Sequence, residues 1–382
     1  MSFLNYEVQD WARRALNGEY GPIPDNAAYF SAVENYLHHS SEIKRRFDRN
    51  YGDVAVFGTG DCGQLGCGEN ILEARTPRIL MNLRGCMINM LASGGLHNLA
   101  LSENGLVYSW GCNDEGSLGA NPGEDGGFLP ITVSGFHPSQ YGPRGDTDLR
   151  DAAGKIIPFQ QRKEASIVQI AAGASQSLAL STTGDVYMWG NYKDNEGRGF
   201  RNMPPNDDTR KKTGLKDMDK LEEDDKIEWF MPPRGNQDWP LHVYQIPIAA
   251  KDISAGASFN AALLVDNTIT TWGIGTCGEL GRDVPHLDKK TPSKQIEESY
   301  LKPAPPMWAG PRINRTVLTI ACGGYHLMAI TRDGDEGLRV YSCGLNNYGQ
   351  LGHGDTENRG ALTKVRMYIV SVDHFMAHLV MF

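Results

Sequence analysis

The 382 residues carry 37 Lys and Arg against 46 Asp and Glu, a formal net charge of −9 at pH 7, which argues against a protein held to nucleic acid by bulk electrostatics. No run reaches the roughly 18 apolar residues needed to span a bilayer, and the polar start MSFLNYEVQDWARR lacks a signal-peptide core, so a soluble, non-secreted chain is expected. Glycine is the outlier: 44 of 382 residues, against a usual share of roughly 7%, an excess that without collagen periodicity points to many turns.

Residues 1–50 form an N-terminal extension. Within it, VQDWARRAL and NAAYFSAVENYLHH place apolar residues at helical spacing on either side of NGEYGPIPD, which predicts two short helices. Lys44, Arg45 and Arg46 are a weak nuclear-import signal.

The next phrase, VAVFGTGDCGQLG (Val54 to Gly66), holds Gly58, Gly60 and Gly63 in the spacing G-x-G-x-x-G. A dinucleotide fingerprint needs a helix to follow, so that a helix N-terminus faces the pyrophosphate. The following residues, CGENILEARTP, contain no helix start. The phrase instead recurs as VYSWGCNDEGSLG (Val107 to Gly119), VYMWGNYKDNEGRG (Val186 to Gly199), TTWGIGTCGELG (Thr270 to Gly281) and VYSCGLNNYGQLG (Val340 to Gly352). Each is a short strand ending in Phe, Trp or Cys before Gly, then a polar turn. The copies recur as a unit of about 50 residues lengthened by insertions, the period of propeller blades or solenoid units.

A second phrase precedes most copies: ASGGLHNLALSENG (from Ala92), AAGASQSLALSTTG (from Ala171), SAGASFNAALLVDN (from Ser254) and ACGGYHLMAITRDG (from Ala321). Each reads as a small-residue turn, an apolar strand and a tight turn such as Asn104-Gly105, where a two-residue hairpin loop is expected. Short, glycine-punctuated strands whose units cannot bury a core alone predict an all-β chain, a β-propeller over residues 51–382 with about five blades. Insertions fall at about 201–250 and 281–316. The seven cysteines include no C-x-x-C pair and suit a reducing compartment. Scattered thiols are favoured over metal binding by Cys62, Cys67 or Cys112, and no motif for covalent catalysis or for a cofactor is present.

Strand, Trp-Gly, polar turn, Gly-x-Leu-Gly, then Gly-Gly-x-His before a Leu-Ala-Leu strand resembles the regulator of chromosome condensation repeat over roughly residues 54–365. Kelch repeats share the glycine doublet and the period but not the Leu-Gly step. GDCGQLGCGEN, GCNDEGSLG and YKDNEG follow the order of the first three blades of the family's founding member, the nuclear guanine-nucleotide exchange factor for the small GTPase Ran. The resemblance implies a non-enzymatic exchange factor that holds the nucleotide-free GTPase and so weakens nucleotide affinity. It implies a wedge from the third blade, Asn191 to Gly197, and GTPase contacts from Tyr192, Lys193, Asp194, Asn195 and Glu196, with Asp61 and His97 on the same face. Asp194 and Glu196 are expected to compete with phosphate for the GTPase's lysine or magnesium. The alternative reading of KDNEG is an ordinary solvated turn.

Two turns depart from the family pattern. Gly173-Ala174-Ser175-Gln176 stands where the family shows an acid and a histidine, and Gly256-Ala257-Ser258-Phe259 lacks a similar acid. Their loss predicts weakened exchange and supports a second function, an exchange-inactive propeller serving as a protein-interaction or chromatin-binding scaffold. His97 and His326 can instead be structural, each bonding a neighbouring blade's backbone. Residues 281–316 carry a net charge of +3, and by resemblance Lys289, Lys290, Arg312 and Arg315 are candidate nucleosome contacts, with a solvated proline-rich loop as the plain alternative. The resemblance also implies a nuclear location, with the cytoplasm open as well, and neither membrane nor small-molecule partners. Five Trp-Gly signals stand against a family ring of seven, so the chain is expected to be a fragment, or else a ring closed unusually by its first 50 residues.

Overall fold

The computed structural model describes residues 51–120, 127–136, 165–194, 196–200, 240–243, 245–287, 291, 293–310, 314–334 and 337–366. The helices expected within 1–50 lie outside them.

The repeated phrases fold into four antiparallel sheets built to one plan. In the first, β3 (Ile88–Ser93), β4 (His97–Ser102), β5 (Val107–Gly111) and β6 (Ile131–Val133) pair in sequence order. The second joins β7 (Ile167–Ala172), β8 (Gln176–Ser181), β9 (Val186–Gly190) and β12 (Leu241–His242). The third joins β13 (Ala250–Ala255), β14 (Phe259–Leu264) and β15 (Ile269–Gly273), with Thr271 bridged to Ala304 at its edge. The fourth joins β16 (Arg315–Cys322), β17 (His326–Asp333), β18 (Leu338–Gly344) and β19 (Arg359–Lys364). The opening copy forms only a two-stranded sheet of β1 (Ala55–Thr59) and β2 (Glu73–Ile79). Among the described residues the five repeat signals therefore make four full blades and half of another. Phe57, in the Trp position of that half blade, is 70% exposed.

The blades share local irregularities. The first strand of each full blade slips register near its start, at Ile88/Met90, Ile167/Gln169, Ala250/Asp252 and Val317/Thr319, a bulge that increases local twist. The loop at Asn104-Gly105 is one residue longer than expected. Ser102 N–H donates to the Leu106 carbonyl at 2.9 Å, and Gly105 alone has a left-handed φ of 80°. This is a turn followed by a left-handed residue, the three-residue hairpin loop. The third full blade repeats the loop with Asn267 at φ 66°, asparagine being one of the few residues that tolerate that conformation.

Every residue of β8, β9, β14 and β15 is buried, because neighbouring sheets stack on both faces. β7 packs on β3 and β4, β13 on β7 and β8, and β16 on β13 and β14. The repeated tryptophan explains how one blade is keyed to the next. Trp110 Nε1 donates to the Gln64 carbonyl at 2.9 Å and Trp189 Nε1 to the Ser117 carbonyl at 2.8 Å, each acceptor immediately preceding Leu-Gly in the previous copy. A Cβ on Gly66 would sit 2.8 Å from the Trp110 ring, and one on Gly119 2.7 Å from Trp189. The Leu-Gly glycine is thus the floor on which the next indole lies.

Candidate functional site

On the face formed by the turns between first and second strands, the blades are tied by backbone hydrogen bonds. Gly95 N–H donates to the Ala174 carbonyl, Ala174 N–H to Ala257 and Ala257 N–H to Gly324, at 3.1, 3.0 and 2.8 Å. Above this ladder stands the third-copy hairpin, β10 (Tyr192–Lys193) paired with β11 (Gly199–Phe200). Between them lies a cavity of about 300 Å³, with Ser175, Lys193, Asp194, Ser258, Glu279 and Tyr325 in its wall.

The residues expected to form the wedge divide into struts and surface. Tyr192 is fully buried; its hydroxyl accepts from Asn260 Nδ2 at 2.8 Å, and burial raises its pKa well above the usual tyrosine value. It anchors the hairpin to the third full blade and exposes nothing to a partner. The Lys193 ammonium pairs with the Glu115 carboxylate, which also accepts from Asn191 Nδ2 at 3.0 Å. Burial works against the ionised Glu115, yet hydrogen bonds from Lys193 and Asn191 hold its pKa below the usual carboxylate value. Asp194 is spent inside the turn: Oδ1 accepts from the Glu196 and Arg198 N–H groups at 3.0 and 2.9 Å, and Oδ2 from Arg198 Nε at 2.5 Å. Its side chain is 4% exposed, which does not suit competition for a partner's lysine or magnesium. Glu196, with its side chain 57% exposed, is the outward acid of the hairpin. Asn195 lies outside the described residues.

Asp61 is exposed in the turn after β1 and does not line the cavity. His97 is 2% exposed, with Nε2 2.8 Å from Ser177 Oγ, and burial lowers its pKa to about 4. It bonds a neighbouring blade, as the structural reading expected, through a side-chain hydroxyl rather than backbone. Gln176 takes the matching place one blade on, where Nε2 donates to the Gly256 carbonyl at 3.0 Å.

The basic insertion also resolves into internal parts. The Arg315 guanidinium lies 4.1 Å over the Trp308 ring and 4.5 Å over Tyr341, with Asp333 at 3.5 Å and the side chain 10% exposed. Cation–π stacking of this kind serves packing and leaves little of Arg315 for chromatin. Arg282 holds the Thr271 and Ala304 carbonyls at 2.7 and 3.2 Å, and burial lowers its pKa to about 10. Lys289, Lys290 and Arg312 lie outside the described residues.

Sequence reasoning missed Glu115, Arg198, Ser258, Tyr325 and above all Glu279. A signal for Glu279 was present: aligning the Leu-Gly turns sets it against Gln64 and Gln350.

Blades of this plan, keyed by Trp-Gly and Leu-Gly steps, define a repeat-built β-propeller. The model of the RCC1-like domain matches residues 53–378, and the chain belongs to that family. The human protein "Regulator of chromosome condensation" is 29% identical over 309 residues, covering 80% of this chain and 58% of its own length. The Saccharomyces cerevisiae "Guanine nucleotide exchange factor SRM1" is 30% identical over 319 residues, covering 81% and 56%. Among solved structures, Prp20p of Saccharomyces cerevisiae, described with its binding to Gsp1p and histones, superposes with a TM-score of 0.56 at 26% identity, covering 86% of this chain and 63% of that one. The chain spans about three fifths of the length of these relatives.

Proposed function

We propose that this propeller is a guanine-nucleotide exchange factor for a Ran-type small GTPase. The observation that carries the reading is the β10–β11 hairpin, braced at its base, with Lys193 and Asp194 in the wall of the cavity where the blade turns converge and Glu196 more than half exposed in its turn, 3.9 Å from Arg198 Nε. A propeller that binds the nucleotide-free GTPase more tightly than the loaded one must weaken nucleotide affinity by the same factor. In this mechanism Tyr192, Asn260 and Glu115 hold the hairpin in place before encounter, so little ordering entropy is lost on binding. Lys193 and Asp194 maintain its shape, and Glu196 offers charge to the GTPase's phosphate-binding site. Asp61 supplies a second exposed carboxylate from the half blade. His97 supports the same face from within. The reading carries a nuclear location and histone contacts, with Lys289, Lys290 and Arg312 as the basic candidates and Arg315 left to the core.

A second reading, partner binding without exchange, draws on the commitment of Asp194 to Arg198 and on the uncharged turns at Ala174 and Ala257. Release of a fluorescent GDP analogue from Ran separates the two. Acceleration by the parent, falling at least tenfold with Glu196→Ala while the fold is retained, supports exchange. Release at the intrinsic rate in the presence of excess folded parent protein rejects it in favour of the scaffold.

A further inference from the structure

Three turns of the same shape carry an acceptor before Leu-Gly. Gln64 Oε1 accepts the Cys62 N–H at 2.8 Å and Gln350 Oε1 the Tyr348 N–H at 2.9 Å. In the third, Glu279 Oε2 accepts the Cys277 N–H at 2.7 Å. A neutral amide satisfies this geometry twice, so the turn does not require a charge. Yet Glu279 is 2% exposed and is one of the residues in the wall of the cavity beside the hairpin. Among the described residues no cation pairs with it; Lys193, across the cavity, is held by Glu115. A buried, unpaired carboxylate is costly, and one kept where glutamine would serve is a sign of use.

The other walls suit a positively charged visitor. Ala174 and Ala257 leave room, Ser175 and Ser258 are small and polar, and Tyr325, 47% exposed, presents an aromatic ring at the cavity. A cation near such a ring gains from its negative face, and a guanidinium can meet a carboxylate with two parallel hydrogen bonds. Asp194 adds a second acid to the wall, already neutralised by Arg198.

We propose that the Glu279 cavity is a receptor for a single basic side chain, arginine or lysine, presented by a protein partner. If the exchange reading holds, that partner is the GTPase, and the cavity clamps it beside the hairpin. Filling the cavity restores a counter-charge to Glu279, so binding draws on a charge already buried in the free protein.

Burial pushes the Glu279 pKa up to about 7, against the pull of backbone N–H groups. The titratable groups facing it are Cys277, Tyr300 and Cys343, each raised in part by its charge, with Lys193 and Asp194 across the cavity. A carboxylate titrating there is roughly one-tenth ionised at pH 6 and nine-tenths at pH 8, so cation binding weakens about ninefold between pH 8 and pH 6.

The test needs no GTPase. The full chain is titrated with Nα-acetyl-arginine methylamide, and with the neutral citrulline analogue, by saturation-transfer NMR at pH 6 and pH 8. Expected are saturable binding of the arginine probe at pH 8, a roughly ninefold loss at pH 6, no binding of the citrulline probe, and abolition in Glu279→Gln. That variant keeps the turn, as Gln64 and Gln350 show. Equal binding of both probes, no saturable binding of the arginine probe, or binding that survives Glu279→Gln overturns the proposal. None of these outcomes touches the exchange reading, which stands or falls on nucleotide release.

Discussion

The Leu-Gly turn of the second copy and the hairpin of the third begin from similar sequences, GCNDEGSLG and GNYKDNEGRG, and end in different roles. In the second copy Ser117 turns its carbonyl inward to receive Trp189, and Leu118 is fully buried. The turn is a socket for the next blade. In the third copy no Leu-Gly follows, the chain turns back as β10 and β11, and Trp272 has no such carbonyl. Its indole interacts with the Tyr192 hydroxyl, a side-chain oxygen in place of a carbonyl, and Nε1 does not reach the geometry of a full hydrogen bond. A blade junction has given up one directed contact, and the residues that would have formed a socket stand outside the sheet. Regular turns key one blade to the next, and the irregular one builds a separate two-stranded hairpin.

The largest expected effects separate the two junctions. Trp189→Ala empties a socket and leaves the Ser117 carbonyl to Ser177 alone, destabilising by about 3–5 kcal/mol in urea unfolding. The milder pair sharpens the contrast: Trp189→Phe loses a buried hydrogen bond that Trp272→Phe does not, so it should cost about 1 kcal/mol more. Equal losses would show that the third junction is as directed as the second.

Next come two buried titrating groups of opposite sign, His97 in β4 and Glu279 in the Leu-Gly turn of the fourth copy. His97 has its folded pKa lowered from 6.5 to about 4, so its contribution is present above pH 6.5 and is lost as pH falls toward 4. Glu279 has its folded pKa raised from 4.5 to about 7, so its contribution is present below pH 4.5 and is lost as pH rises through 7. His97→Gln, copying Gln176, should flatten the acid side of the stability profile by roughly 2–3 kcal/mol, and Glu279→Gln should remove the fall in stability as pH rises from about 5 through 7, by a similar amount. Thermal melts across pH 4.5–8.5 check both.

The smallest effects lie in the hairpin. Asp194→Asn weakens the pair with Arg198 and should speed amide hydrogen exchange at Glu196 and Arg198 severalfold, with about 1 kcal/mol lost locally. Glu196→Ala should change global stability by less than about 0.5 kcal/mol, even where it lowers nucleotide release. A large global loss from Glu196→Ala would place the hairpin with the sockets.

Much of the fold was legible because its signals are local. Trp-Gly, Leu-Gly and the small-residue turns are short phrases whose chemistry is the same wherever they fall, so their repetition implied stacked blades without any distance being known. The loop at Asn104-Gly105 was read one residue too short because dipeptide chemistry does not specify where the strands close. The candidate site was legible only as a stretch of chain: YKDNEG was found, but its division into Tyr192 and Asp194 within and Glu196 without depends on Asn260 and Arg198, residues that no spacing rule connects to it. Arg315 looked like part of a basic loop until Trp308 and Tyr341 closed over it.

By itself, the sequence determined an all-β propeller and the copy that breaks the Leu-Gly pattern, since glycine and tryptophan act through their own backbone and ring geometry. Only the tertiary structure decided which charges are spent and which are exposed. Glu115, more than seventy residues before Lys193, becomes its partner, and Glu279, in the position held by glutamine in two other turns, becomes a buried acid beside a cavity. Burial and pairing are properties of what surrounds a group, and in a stacked propeller those surroundings come from the neighbouring blade.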